Sequence, residues 1–346
     1  MKTLLPALVL LLLAGLSQAQ DFHFSQSLML PQTINPATIG HQAFHRTQFA
    51  ALYRGQWDNV GSTESYQGAA VSADMRFCLQ NQDKNFFALG LALQHDWSPL
   101  GGLSNSTGRV SGAFHLHLGG ETFGSAGVYL GALGYHLDPD RLHFDAQYQN
   151  GNYNPNAPNG ENFANNGSIQ PDMGSGIEVY NNVEGWSGGF AFHHVNRPPY
   201  SLFDDDANRL GIGWVLHGSF TLSSNNAQTR AWLVRGLYRR QSFSGSNSAQ
   251  WQGMIGAFRQ VAFTSGAKAK VSAGAYVRLG GRPGSAVGVN TLVPVLQFGD
   301  DNFTTALSYD INLQDVRSRF AGGLELTLAY SFGRTDRCVV CRGPGL

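Results

Sequence analysis

The stretch Gly323-Leu324-Glu325-Leu326-Thr327-Leu328-Ala329-Tyr330-Ser331-Phe332 puts Leu324, Leu326, Leu328, Tyr330 and Phe332 on one side of an extended chain. Glu325, Thr327, Ala329 and Ser331 fall on the other. Successive side chains of a strand point to opposite faces. An unbroken apolar face opposite one that carries a carboxylate is what lipid outside and a polar interior demand of a transmembrane strand. The fold expected is therefore an all-β, antiparallel outer-membrane barrel, with its apolar side outward.

Other segments repeat the pattern. Phe87, Leu89, Leu91 and Leu93 share a face against Ala88, Gly90 and Ala92. In 268–279, Ala269, Val271, Ala273, Ala275, Val277 and Leu279 oppose Lys268, Lys270, Ser272, Gly274, Tyr276 and Arg278. The second set belongs to the lumen, because a cation on lipid costs about 2–4 kcal/mol at the midplane. A large soluble sandwich or jelly roll is the competing all-β reading.

After the first residues, no segment approaches the length of apolar chain that a membrane helix needs, and without helices only a closed barrel satisfies its backbone in a bilayer. The composition agrees, with 43 glycines, 12% aromatic and 13% charged residues and no net charge. Neutrality argues against nucleic acid as a partner. Met1 to Ala19 carries Lys2, an apolar run and a Ser-Gln-Ala end, and reads as a cleaved signal peptide. The domains expected are that leader, an N-terminal segment over 20–46, a barrel over 47–332 and a periplasmic tail over 333–346.

Alternation and turn residues place strands at 47–54, 65–77, 86–95, 108–118, 125–136, 175–181, 186–194, 209–220, 229–240, 251–262, 268–279, 287–297, 302–312 and 320–332. That makes about 14 strands. A further short strand at 141–149 would lie within a loop. Connections at 78–85, 119–124, 182–185, 222–228, 263–267 and 298–301 are short, and those at 96–107, 137–174, 195–208 and 241–250 are longer. They alternate, so the short ones face the periplasm and the long ones the exterior. The segment before the first strand holds Pro31 and Pro36 and is no central strand. It is expected to tuck into the periplasmic mouth, with Asn35-Pro36-Ala37 as a turn that fixes it.

No catalytic or cofactor motif emerges. Ser201 near His194 lacks an acid partner, and there is no nucleophile elbow, phosphate loop or zincin sequence. His115 and His117 share one side of a strand without a third ligand, and Asp204-Asp205-Asp206 cannot converge on one ion. Cys338 and Cys341 form a Cys-Val-Val-Cys without the second pair a zinc site needs, so a local disulfide or an inert tail is expected there, with Cys78 alone. Arg54 and Trp57 read as outer-rim anchors, and His193, His194 and Asn196 as rim packing before Arg197-Pro198-Pro199.

The order of several short motifs resembles the PorP/SprF family of type IX secretion membrane proteins. Phe24-Ser25-Gln26 is followed by Asn35-Pro36-Ala37 and Gly40, then by Tyr53-Arg54-Gly55-Gln56-Trp57. Further on come Trp186, Gly189 and His194-x-Asn196-x-Pro198, then Ser308-Tyr309-Asp310-Ile311-Asn312 and Gly322-Gly323-Leu324-Glu325-Leu326. The resemblance implies a non-enzymatic outer-membrane barrel of Bacteroidetes-type bacteria. It would work with other secretion or gliding subunits, or bind one exported surface protein that carries a type B C-terminal sorting domain. Phe24, Ser25, Gln26, Asn35, Pro36, Tyr53, Arg54, Gln56, Trp57, His194, Asn196 and Pro198 are the candidate family-motif or partner residues, and no cofactor is implied. The outer loops at 137–174 and 195–208 would carry recognition. The alternative is a transporter resembling 14-stranded fatty-acid-transporter barrels, with Lys268, Lys270 and Arg278 along its path.

Overall fold

The computed structural model of the chain describes residues 23–41, 45–56, 66–79, 84–98, 102–149, 152–160, 166–200, 209–223, 230–243, 249–262, 269–281, 288–300, 302–313 and 322–334. Five strands come first: β1 (His45–Gln56), β2 (Tyr66–Cys78), β3 (Phe86–Ser98), β4 (Leu103–Gly119) and β5 (Thr122–Leu137). A small ribbon, β6 (Tyr148–Gln149) with β7 (Asn152–Tyr153), interrupts the series. Then follow β8 (Gly167–Asn181), β9 (Trp186–His193), β10 (Leu210–Ser223), β11 (Arg230–Phe243) and β12 (Ala249–Ala262). The last four are β13 (Lys270–Gly281), β14 (Gly288–Gly299), β15 (Phe303–Asn312) and β16 (Gly323–Arg334).

All but β6 and β7 join one closed antiparallel barrel of 14 strands in sequence order, β5 pairing with β8 and β1 with β16. Closure leaves no unpaired edge, which a bilayer requires. Every expected strand is present, and the connections alternate between the two ends, the longest ones, after β5 and β9, lying on the outer end. Three outer connections are shorter than the alternation suggests, one because β11 runs to Phe243 and β12 starts at Ala249. β3 and β4 stay paired as far as Ser98 and Leu103, and β8 begins at Gly167 rather than near 175. These extensions are rich in Ser, Asn, Thr and Gln. Above the lipid a ladder needs only its backbone hydrogen bonds, so the hydrophobic period that marks a strand in sequence is missing there. Residues expected as a loop strand at 141–149 form short 3-10 turns and one arm of the β6–β7 ribbon.

Facing is as the period demands. Leu324, Leu326, Leu328, Tyr330 and Phe332 are exposed on the outer wall, whereas Glu325 and Thr327 are buried in the lumen. Ser272 and Tyr276 of β13 likewise turn inward. Phe190, Trp214, Tyr238 and Trp251 run ring to ring across β9–β12 at the outer end, with centroids 6.1, 5.3 and 5.9 Å apart. Phe49, Phe332 and Tyr330 form a matching group near the periplasmic end. Two aromatic bands of this kind mark the interfaces of an outer-membrane barrel.

The N-terminal segment departs from expectation in depth. It does not stop at the periplasmic mouth but runs through the lumen, from His23 at the level of Arg54 in the outer half down to His41 beside the periplasmic turn residue Asn182. The lumen is lined by polar and small apolar side chains that its backbone and apolar residues can satisfy, and that pulls it inward. Cys78, expected to stand alone, is disulfide-bonded. Trp57, Ser201, Asp204 to Asp206, Lys268, Cys338, Cys341 and the leader lie outside the described residues.

Candidate functional site

Three short 3-10 turns, Ser27–Met29, Pro31–Thr33 and Pro36–Thr38, give the lumenal segment its shape. Pro31 and Pro36 open the second and third turns, where a fixed φ helps and no N–H is missed. Asn35 caps the third, its Oδ1 accepting from the Ala37 N–H at 2.9 Å, which is the expected turn. None of these residues pairs with a barrel strand.

The outer layer surrounds Ser25 and Gln26. Glu325 accepts both of their backbone N–H groups, at 2.7 and 2.8 Å, one on each carboxylate oxygen. Ser25 Oγ donates to Asp310 at 2.6 Å, and Gln26 Nε2 donates to Ser308 Oγ at 2.8 Å and the Glu325 carbonyl at 3.1 Å. Arg54 bridges the two acids, 2.8 Å from Asp310 and 3.0 Å from Glu325, and donates to the His23 carbonyl at 2.8 Å. Arg278 adds a second cation 3.2 Å from Asp310 and also donates to Ser25 Oγ. Two cations therefore meet two carboxylates, so the buried quartet carries no net charge.

The middle layer centres on Asn35. Its Nδ2 donates to the Ile177 carbonyl at 3.0 Å and lies 2.9 Å from His217 Nε2. His193 donates to the Ile34 carbonyl at 2.7 Å, and Ser125 to that of Ala37 at 2.8 Å. Beside it, Asp172 takes His194 Nδ1 at 2.8 Å and the Tyr129 hydroxyl at 3.1 Å, with Arg109 3.6 Å away. Deepest, His115 Nε2 donates to the Ile39 carbonyl at 2.8 Å, its Nδ1 accepting from Tyr180. Asp74 and Arg76 hold the N–H and carbonyl of Gly40.

Apolar residues of the segment fill matching patches between these layers. Phe24 and Leu30 pack on Ala50, Leu52 and Ala70, Ile34 on Val215, Phe258 and Val293, and Ile39 on Ala88 and Ala113. Glycines make room. A Cβ on Gly127 would sit 2.6 Å from the Pro36 carbonyl oxygen, and one on Gly176 would overlap the Asn35 side-chain oxygen.

Among the candidates, Phe24, Ser25, Gln26, Asn35, Pro36, Arg54 and His194 thus converge on the lumen. Arg54 is not a rim anchor, and His194, the residue after the outer end of β9, is fully buried in a left-handed conformation (φ 54°) against Asp172. The rim assignment fails because Arg54 has two strand carboxylates within reach. Tyr53 faces outward and donates to Gln67, and Gln56 closes the outer end of β1 opposite Tyr66 and Gly323. Asn196 ties the outer loop to β8 through the Met173 N–H and the Pro171 carbonyl, and the Pro198 carbonyl accepts from the Leu210 N–H. Asp310, Glu325 and Asp172 are the polar residues not expected as site members, and Arg278, expected along a transport path, joins them. Their signal was a charge inside an otherwise alternating strand. Among the described residues, no cluster of three or more His, Cys, Asp or Glu side chains is placed to hold a metal ion.

A family model described as type IX secretion system membrane protein PorP/SprF matches residues 16–330. The chain belongs to this family. As a PorP/SprF protein it is an outer-membrane β-barrel and a membrane component of type IX secretion. The lumenal anchors Ser25, Gln26, Asn35, Arg54, Asp310 and Glu325 all lie within the matched span. Among solved structures, the barrel is similar to the CymD monoaromatic hydrocarbon channel at a TM-score of 0.51 and 10% identity, covering 88% of this chain and 93% of that one. The Pseudomonas putida toluene transporter TodX gives 0.50 and 11%, covering 88% and 94%. At that identity the likeness is one of fold. No curated protein matches the chain.

Proposed function

We propose that this PorP/SprF protein is a non-enzymatic accessory of type IX secretion that binds an exported protein with a C-terminal sorting domain, to complete its secretion or hold it at the cell surface. Family membership carries the reading. The filled lumen supports it, since a barrel whose interior is occupied by its own chain offers the outer loops as the surface for a partner. The ribbon-bearing connection between β5 and β8 and the loop after β9 are that surface, and other secretion or gliding subunits are the further partners. Export would use the leader over 1–19, with the segment at 20–46 and the tail at 333–346 as the non-barrel parts. Affinity purification of the tagged protein from native outer membranes in mild detergent, followed by mass spectrometry, tests this. A co-purifying secreted protein with a sorting domain, or secretion subunits, supports the role, and a partnerless barrel argues against it.

The second reading, a small-molecule channel, rests on the barrel's likeness to hydrocarbon channels. Of the cations expected along a path, Arg278 is held against Asp310 and Ser25. A solute-selective current in planar bilayers from the native chain would favour this reading.

A further inference from the structure

We infer that the lumenal wall is a peptide-binding site and that residues 24–40 are its resident, releasable ligand, closing the barrel when seated and leaving a water-filled pore when released.

The wall reads main chain. Glu325, Arg54, His193, Ser125, His115, Asp74 and Arg76 each satisfy a backbone N–H or carbonyl between His23 and Gly40. Side-chain readout adds Ser25, Gln26, Ser27, Gln32 and Asn35 for hydrogen bonds and Phe24, Leu30, Ile34 and Ile39 for apolar patches. Backbone hydrogen bonds for affinity with pockets for spaced side chains are how proteins recognise peptides.

The occupant is separable on three grounds. The barrel closes through β1–β16 pairing without any strand contribution from the segment. Among the described residues, its covalent continuity with the barrel is through β1, which begins at His45. The groups it would uncover, among them Arg54, Asp310, Glu325, Arg278 and Asp74, are ones that water solvates well, so a vacated lumen would fill with water rather than collapse. The wall also bears the segment's imprint, because Gly127 and Gly176 leave space that the seated turn at Pro36 and Asn35 enters.

The test uses full-length chains reconstituted in planar bilayers, each first shown to be folded by heat-modifiable migration. The native chain should pass no steady current. A Ser25→Ala, Gln26→Ala, Asn35→Ala variant weakens the resident and leaves the wall intact, so it should conduct. A synthetic peptide of residues 21–41 added on the periplasmic side should then block that current in a concentration-dependent way, where a scrambled peptide does not. A Gly176→Val chain, whose seat is filled, should conduct and resist the same peptide. The inference is overturned if the native chain already conducts steadily, if the folded triple variant stays closed, or if the native peptide blocks no better than the scrambled one. Failure of both variants to fold also overturns it, since the segment would then be permanent core.

Discussion

Arg54 carries the outer layer of the lumen, because it neutralises Asp310 and Glu325 together while holding the His23 carbonyl. Arg54→Ala would leave both carboxylates facing the segment with Arg278 as the remaining cation. Removing one partner from a buried ion pair costs about 3–5 kcal/mol. Because the acids can regain water if the segment leaves, that cost should fall on docking rather than on the strand ladder. Hydrogen exchange of the Ser25 and Gln26 amides should therefore rise by roughly a hundredfold or more, at 1.4 kcal/mol per factor of ten, while the strand amides stay protected. Arg54→Lys keeps the charge without the fork and should show a smaller rise. Cys78 makes a second prediction at this scale. It is disulfide-bonded, and the chain's other cysteines are Cys338 and Cys341. Peptide mapping should find Cys78 protected from alkylation until a reductant is added. Alkylation of Cys78 in the folded, unreduced protein would refute the bond.

At the scale of the strand, the outward face of β16 supports a depth experiment. Leu328 pairs with Ala51 and Thr305 near the middle of the strand, whereas Leu324 sits next to its outer end. A cation at the midplane costs about 2–4 kcal/mol and near an interface about 0–1. Leu328→Arg should thus lower unfolding stability in lipid vesicles by several times more than Leu324→Arg, and equal effects would contradict the assigned facing. The alternation that makes this prediction possible also made the strands legible from residues alone. What it could not reveal were the outer ends of β3, β4 and β8, where Ser, Asn and Gln continue the ladder without a period. Nor could it reveal the path of the N-terminal segment. Pro31, Pro36 and Asn35 announced a turn, but its destination depends on carboxylates and imidazoles contributed by strands far away in sequence. Asp310 and Glu325 stood inside quoted motifs, and only closure of the barrel brings them to Ser25.

For the whole molecule, the proposed function asks the ladder for rigidity and the outer loops for recognition of the exported partner. The closed ladder fixes the barrel, so an outer loop can change without unfolding it. Within the β5–β8 connection the division has a definite boundary. Residues from 167 onward belong to β8, and Asp172 there holds His194, Tyr129 and Arg109. By contrast, Gln147 is buried within the loop itself, its side chain serving the Phe144 N–H and the Ala157 carbonyl, while Tyr148 and His143 remain exposed. Replacing 143–160 by a short glycine-serine linker should therefore leave a heat-modifiable barrel of unchanged lumenal protection that no longer retains its exported partner in pull-downs. Cutting into 167–174 should instead loosen the Asp172 cluster and raise exchange at Tyr129 and His194 as well. If the shorter deletion kept full partner recovery, recognition would have to move to the loop after β9. If it unfolded the barrel, the separation of wall from loop would itself be wrong.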